Sequence, residues 1–170
     1  MQTYIVLLRG VNVGGKNRLP MKPLVALLEQ NNFQAVSYYI QSGNLVLNSV
    51  IDPCEAIKAV ICEHYGFSPN VFTLNISDFA SAINNNPYKE FEGKLVHFYF
   101  CENSIQLNVE KIECWISETE QYYVEKNVFY LFAPDGVGRS KLVLNIESCL
   151  GQSGTGRNLN TINKIASLIS

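Results

Sequence analysis

Charged residues and long hydrophobic runs are both scarce in this sequence. Only 16% of its 170 residues are charged, whereas 47% are hydrophobic, so the chain can bury a core and does not have the composition of a disordered protein. No apolar run reaches the ~18–20 residues that span a bilayer. The first residues have neither a basic start nor a signal-peptide cleavage site. We therefore expect a globular, cytoplasmic protein that has no membrane partner.

Paired metal-ligand motifs are also absent from the sequence. The five cysteines are widely spaced and form no C-x-x-C pair, which favours reduced, mostly buried thiols. Cys62 and His64 lie two residues apart in a predicted helix, so their side chains point in different directions. His97 alternates with apolar residues in a predicted strand, and both histidines are more typical of structural positions than of a general base. We expect no metal and no cofactor.

The net charge of −2 conceals an uneven distribution along the chain. Residues 1–22 carry four basic and no acidic side chains, and residues 136–170 carry four basic and one acidic. The segment between them carries five basic and fourteen acidic residues. Two basic ends that meet in the fold would form a positive patch, although short segments also vary in charge without functional meaning.

The first part of the chain predicts the order strand, helix, strand, strand, helix, strand. Apolar alternation and β-branched residues indicate strands at 3–9, 36–41, 45–50 and 71–76. A first helix continues from Pro23 through LVALLEQ, and a second begins after Asp52-Pro53 and ends at Gly66.

The second part repeats this pattern after a short helix that begins at residues 77–78. Strands are predicted at 94–101, 121–125 and 128–133, and helices at 109–116 and 142–150. The final strand is missing from the prediction, because GQSGTGRN leads directly into the last helix. Two split βαβ patterns predict an α+β fold with mainly antiparallel sheets and a C-terminal helix. We predict subdomains at 1–76 and 77–170 within one compact unit.

The stretch GVNVGGKN at residues 10–17 resembles a phosphate-binding loop, G-x-x-x-x-G-K-[ST], with its last position changed. Asn17 removes the hydroxyl that would ligate magnesium. Pro20 disfavours a helical conformation for Leu19, so the helix that such a loop requires cannot run on from Gly15. We interpret the stretch as a wide loop rather than a P-loop, and its glycines also suit a purely structural turn.

Four stretches carry a resemblance to a known family: LLRGVNVGGKNRLPM, YIQSGN, GVGRSKL and GTGRNLNTINKI. Together they resemble a widespread bacterial family known only as domain of unknown function 1697, over nearly the whole chain. The resemblance implies two intertwined ferredoxin-like subdomains and no known activity. It also implies that the polar residues of these stretches belong together: Arg9, Asn12, Lys16, Asn17, Gln41, Ser42, Asn44, Arg139, Ser140, Lys141, Thr155, Arg157, Asn158 and Asn160.

If these residues converge, they form a site rich in guanidinium, ammonium and amide groups and almost without carboxylates. Such a site suits a small anionic ligand, for example a nucleotide or another phosphorylated metabolite. In the alternative interpretation, Thr155 or Asn158 caps the last helix and the arginines pair with acidic residues. Nucleic-acid binding is a second hypothesis, although the strand LVLNSV lacks the aromatic residues of an RNA-recognition motif.

An enzyme acting on a phosphorylated or acidic metabolite is a third hypothesis, since positioned Arg and Lys side chains can stabilise developing charge. No nucleophile motif supports it, because Ser42 in QSGN is not part of G-x-S-x-G. Tyrosine pairs at 38–39 and 122–123 can stack on bases, but alternation places one of each pair in a core. The sequence leaves the reaction, the ligand and the oligomeric state open.

Overall fold

A computed structural model describes residues 1–169 of the chain. The chain divides into two compact units. Unit 1 comprises Met1–Ser81 together with the chain from Asn163 onward, and unit 2 comprises Ala82–Ile162. None of the helices in the described part of the chain is both long and apolar enough to cross a membrane.

Unit 1 is built on a four-stranded antiparallel sheet in the order β2-β3-β1-β4. Its elements follow one another as β1 (Gln2–Arg9), α1 (Met21–Gln30), β2 (Gln34–Tyr39), β3 (Asn44–Ser49), α2 (Cys54–Tyr65) and β4 (Asn70–Asn75). Helix α3 (Ile76–Asn84) follows and contains the boundary between Ser81 and Ala82. β1 pairs with β3 on one side and with β4 on the other, both antiparallel. This is the predicted ferredoxin-like arrangement, in which α1 and α2 each connect two strands that are not neighbours.

Unit 2 has the same topology, with the strand order β6-β7-β5-β8. A short 3-10 turn at Gly93–Leu95 precedes β5 (Val96–Cys101), α4 (Val109–Trp115), β6 (Gln121–Glu125), β7 (Val128–Phe132), α5 (Lys141–Leu144), α6 (Ile146–Leu150) and β8 (Gly154–Asn158). The C-terminal helix α7 (Leu159–Ile169) begins in unit 2, and its residues from Asn163 onward belong to unit 1. The two antiparallel sheets and the C-terminal helix confirm the predicted α+β fold.

The core of unit 1 forms where the apolar faces of α1 and α2 meet one face of its sheet. Leu24 and Leu28 of α1 and Ile57 of α2 are fully buried with Val6 and Leu8 of β1. The intervening β1 residues, which point to the opposite face, are buried as well. β1 therefore reads as a continuous apolar run, as is typical of a strand covered on both faces.

Aromatic and sulfur side chains fill much of the core of unit 2. Tyr99 and Cys101 of β5 pack with Phe129 of β7, Ile112 of α4 and Leu142 of α5. The rings of Tyr99 and Phe129 meet edge to face with centroids 6.1 Å apart, a favoured aromatic geometry. Burial raises the pKa of the Tyr99 hydroxyl to about 12, so this tyrosine is neutral at physiological pH.

The prediction that the second sheet lacks its final strand was wrong. Residues Gly154–Asn158 form β8, which pairs antiparallel with β5. A Cβ on Gly156 would lie 2.7 Å from the ring of Tyr99, and one on Gly154 would lie 3.2 Å from Sγ of Cys101. Gly156 is therefore needed for β8 to fit beside β5 in its present position, and a side chain at Gly154 would fit tightly. The same glycines conceal the strand in a pattern-based prediction.

The prediction of a single helix at 142–150 is also wrong in detail. The structure contains two short helices, α5 and α6, which meet at Asn145 with φ −113° and ψ 15°. The Asn145 side chain donates to the backbone oxygen of Lys141 at 2.8 Å, and this local hydrogen bond accompanies the break. Gly151 then ends α6 in a left-handed conformation with φ 71°.

Candidate functional site

The opening stretch GVNVGGKN forms a small hairpin, which we call the opening hairpin (residues 10–19). The backbone N–H of Lys16 donates to the carbonyl of Val13 at 3.1 Å. Gly14 and Gly15 occupy the turn with φ values of 59° and 73°, which fit a type I′ turn. Helix α1 begins only at Met21, so these glycines do not lead directly into a helix. The backbone geometry is thus that of a hairpin and not of a P-loop.

Asn12 holds the opening hairpin in place through its side chain. Its Nδ2 donates to the carbonyl of Leu19 at 2.8 Å and to that of Gln41 at 2.7 Å, and its Oδ1 accepts from the N–H of Leu19 at 2.7 Å. The residue adopts φ 56°, a left-handed conformation that asparagine tolerates better than most residues. Asn12 therefore connects the first and second predicted stretches within unit 1.

The other amides of these two stretches also bond locally. Nδ2 of Asn17 donates to the carbonyl of Gly10 at 3.2 Å, and Oε1 of Gln41 accepts from the N–H of Met21 at 3.4 Å. The fully buried Asn44 donates to Oγ of Ser42 and to the carbonyl of Tyr39, each at 3.0 Å. The structure thus brings these predicted residues together, and their side chains shape the loops.

The basic residues of the same region differ in exposure. Arg9 ends β1 and is half-buried, whereas Lys16 and Arg18 are exposed on the opening hairpin and Lys22 is exposed at the start of α1. No acidic residue occurs before Glu29. The opening hairpin therefore presents a locally positive surface within unit 1.

The third predicted stretch lines a pocket that lies within unit 2. The pocket has a volume of about 400 Å³ and is formed by the end of α4, the segment before β6 and the loop between β7 and α5. Arg139, Ser140 and Lys141 are among its lining residues, together with Trp115, Glu120 and Asp135. Its size lies within the range of about 300–1,000 Å³ that is usual for small-molecule sites. We call it the unit 2 pocket.

Glu120 is a buried carboxylate that connects two sides of the unit 2 pocket. It is only 8% exposed, and its Oε1 accepts from the N–H of Ser117 at 2.9 Å. Its Oε2 accepts from Oγ of Ser140 at 2.5 Å. Ser140 also caps α5, because its Oγ accepts from the N–H of Val143. Both oxygens of the carboxylate are thus engaged by donors.

The two cations of the unit 2 pocket, unlike Glu120, have no bonded partner within residues 1–169. Arg139 and Lys141 are exposed, and neither side chain forms a hydrogen bond or an ion pair with any of residues 1–169. The second carboxylate of the pocket, Asp135, accepts from the hydroxyl of Thr119 at 2.6 Å through Oδ2. The pocket therefore holds two unpaired positive groups next to carboxylates that already have donors.

The fourth predicted stretch forms β8 and the start of α7. Arg157 is 8% exposed, and burial lowers its pKa to about 10, so it stays charged at neutral pH. Its Nη1 donates to Oγ1 of Thr155 at 2.6 Å and to the carbonyl of Gly156 at 2.9 Å. Asn158 caps α7 by accepting from the N–H of Thr161 at 2.9 Å. Convergence of all four stretches on one cleft stays a prediction.

Asn160, the last of the predicted residues, is exposed on the first turn of α7. Its side chain lies directly over Gly93, at a position that a Cβ on this glycine would occupy. Asn160 therefore contacts the 3-10 turn that precedes β5.

Histidine, cysteine and acidic side chains are the remaining groups with reactive chemistry in the described part of the chain. Within residues 1–169, no three His, Cys, Asp or Glu side chains lie close enough to hold a metal ion. Burial lowers the pKa of His97, while a hydrogen bond with the backbone of Lys94 acts in the opposite direction. Burial also raises the pKa of Cys101 to about 11, so this thiol is protonated and unreactive.

Sequence reasoning missed Trp115, Glu120 and Asp135 as lining residues of the pocket. They lie in and around ECWISETEQ and APDG, where acidic residues resemble a solvated surface. One signal was available, because Trp115 is the only tryptophan in the chain and stands at the predicted end of a helix.

Comparison with known proteins agrees with this fold. The sequence model of a family described as protein of unknown function (DUF1697) matches residues 1–130, whereas no curated protein is significantly similar to the chain. A solved structure of a conserved bacterial protein from Streptococcus pneumoniae shares 24% identity and covers 99% of both chains with a TM-score of 0.75. That likeness establishes the fold alone. Because the family match spans most of the sequence, the chain belongs to the family of proteins of unknown function DUF1697.

Proposed function

We propose that this protein binds a small anionic ligand in the unit 2 pocket. The observation that carries the proposal is the pair of unpaired cations, Arg139 and Lys141, at a pocket of about 400 Å³. A guanidinium group recognises phosphate or carboxylate through paired donors, and an ammonium group adds a mobile point charge. Both were predicted as ligand-binding residues, together with Ser140.

The carboxylates of the pocket do not oppose this proposal. Glu120 receives donors at both oxygens and Asp135 at one of them, so these hydrogen bonds already offset part of their negative charge. Neither carboxylate forms an ion pair with Arg139 or Lys141. An anionic ligand can therefore approach the two cations without first breaking an ion pair.

The test is thermal unfolding of the purified protein with inorganic phosphate, sugar phosphates, nucleotides and dicarboxylates. A ligand that binds only the folded state stabilises it by about 2.7 kcal/mol at a hundred times its dissociation constant. We expect stabilisation by at least one class of anion, and its loss in Arg139→Ala and in Lys141→Ala.

Lys89→Ala is the matched control, because Lys89 is an exposed lysine of unit 2 outside the pocket lining. It should retain the full ligand-induced shift. If no anion stabilises the wild-type protein, or if Lys89→Ala loses the shift to the same extent as Lys141→Ala, the unit 2 pocket is not an anion site.

The exposed basic side chains of the opening hairpin support a second candidate, nucleic-acid binding through unit 1. Lys16 and Arg18 are exposed on the hairpin, and Lys22 follows at the start of α1. Binding of this kind weakens steeply with salt, because phosphate contacts release counterions. A single-stranded oligonucleotide that binds the wild type, but binds the double variant Lys16→Ala/Arg18→Ala much more weakly, would support this candidate. Arg139→Ala should leave such binding unchanged.

A further inference from the structure

The chemistry of the unit 2 pocket extends beyond its two cations, because an aromatic side chain also lines it. Trp115 is the last residue of α4 and is 38% exposed. A tryptophan that keeps this much surface in a pocket offers a flat apolar face to an incoming ring. A simple inorganic anion or an aliphatic dicarboxylate would make no use of that face.

The pocket also offers a free acceptor. Oδ2 of Asp135 receives the hydroxyl of Thr119, whereas Oδ1 accepts no hydrogen bond from any residue in the described range 1–169. A carboxylate oxygen in such a position suits a ligand hydroxyl, in the way that acidic residues accept from ribose hydroxyls in dinucleotide sites. The ligand should therefore carry hydrogen-bond donors as well as negative charge.

We infer that the unit 2 pocket takes a mononucleotide. This inference rests on the proposed anion site and names the class of its ligand. The phosphate pairs with Arg139 and Lys141, the base stacks on Trp115, and a ribose hydroxyl donates to Asp135. Each part of a nucleotide thus meets a group of matching chemistry, and phosphate or a sugar phosphate alone would leave the indole of Trp115 without a stacking partner.

The single tryptophan of the chain makes the inference directly measurable. All intrinsic tryptophan fluorescence comes from Trp115, so a stacked base should quench it. The probes are AMP, GMP, CMP and UMP, with adenosine, ribose 5-phosphate and inorganic phosphate as fragments. We expect at least one mononucleotide to quench fluorescence and to bind at least tenfold more tightly than either its nucleoside or ribose 5-phosphate.

Variants separate stacking from charge, with affinities measured by calorimetry. Trp115→Leu should weaken mononucleotide binding about tenfold or more, in line with base stacking on aromatic side chains, and should leave ribose 5-phosphate binding unchanged. Tyr123→Leu is the matched control, since Tyr123 is an aromatic residue that is 41% exposed and lies outside the pocket lining. It should bind mononucleotides as the wild type does.

The possible outcomes distinguish mononucleotide binding from the more general proposal of an anion site. If ribose 5-phosphate binds as tightly as every mononucleotide and Trp115→Leu has no effect, the anion site stands and the inference fails. If no phosphate-bearing compound binds, both fail. If a single-stranded oligonucleotide binds far more tightly than any mononucleotide through Trp115, the ligand is a nucleic acid and the inference is overturned.

Discussion

Oγ of Ser140 donates to Oε2 of Glu120 at 2.5 Å, and both side chains are more than 90% buried. Glu120 directly precedes β6, and Ser140 directly precedes α5. The hydrogen bond therefore joins two separate segments that line the unit 2 pocket. Because its acceptor is a carboxylate oxygen, this hydrogen bond is stronger than one between neutral groups.

Removal of this hydroxyl should destabilise the protein. Ser140→Ala deletes the cap of α5 and leaves the buried carboxylate of Glu120 with one donor fewer. We expect the free energy of unfolding to fall by about 1–3 kcal/mol, measured by urea denaturation. Ser153→Ala is the control, because Ser153 is an exposed serine of the same unit. Equal losses in the two variants would contradict the structural role of Ser140.

Asn12 should be the most sensitive polar residue of the opening hairpin. Asn12→Ala removes three side-chain hydrogen bonds, to Leu19 and Gln41, and places alanine at φ 56°. Asn32→Ala supplies the comparison, since Asn32 is exposed at φ 71° and its side chain makes no hydrogen bond within residues 1–169. The difference between the two losses in unfolding free energy isolates the hydrogen bonds.

That difference should be about 1.5–4.5 kcal/mol, from about 0.5–1.5 kcal/mol for each of the three hydrogen bonds. It is measured by chemical denaturation of both variants under the same conditions. A loss in Asn12→Ala no larger than that in Asn32→Ala would mean that backbone strain alone accounts for the effect, and that Asn12 does not hold the hairpin.

The elements with a strong pattern could be predicted from sequence. β1 is a continuous apolar run, α1 repeats leucines on one face, and β6 and β7 lie close to the strands predicted at 121–125 and 128–133. The formation of these elements depends on a local periodicity of apolar residues, which is visible in the sequence itself. The order of elements then restricts the topology, because a repeated split βαβ pattern has few ways of closing an antiparallel sheet.

The missed features depend on contacts between residues distant in sequence. β8 has a glycine-rich sequence because Tyr99 and Cys101 occupy the space that side chains would need, and no local pattern contains that information. The unit 2 pocket likewise joins α4 to the loop before α5. Glu120 resembles a surface residue in sequence, but it is buried and accepts hydrogen bonds from Ser117 and Ser140.

A side chain at Gly156 should destabilise the protein, for steric reasons alone. The φ of Gly156 lies outside the left-handed region, and an added Cβ would lie 2.7 Å from Cε1 of Tyr99. Gly156→Ala should therefore lower the free energy of unfolding by about 1–3 kcal/mol more than Gly138→Ala, since a Cβ on Gly138 would meet nothing within 4 Å. Thermal and urea unfolding measure both losses, and equal losses would show that β8 can move away from Tyr99 without cost.

Protonation of His97 should make the free energy of unfolding depend on pH. Its Nε2 is buried and has no hydrogen-bond partner within residues 1–169, and burial lowers its pKa in the folded protein. The unfolded chain has the ordinary histidine pKa of about 6.5. Between these two values the unfolded state binds more protons, so the free energy of unfolding decreases as the pH falls. The stabilising contribution is complete above about pH 6.5 and is lost as the pH drops toward the folded-state pKa.

His97→Gln should remove this part of the pH dependence, measured as the change in unfolding free energy between pH 7.5 and pH 5.5 in urea. His64→Gln is the matched control, because His64 is exposed on α2, and it should retain the wild-type dependence. The change in unfolding free energy between the two pH values is measured within each protein. A general loss of stability in His97→Gln therefore does not obscure the result. If His97→Gln keeps the full wild-type change, the acid sensitivity arises from carboxylates and not from the imidazole of His97.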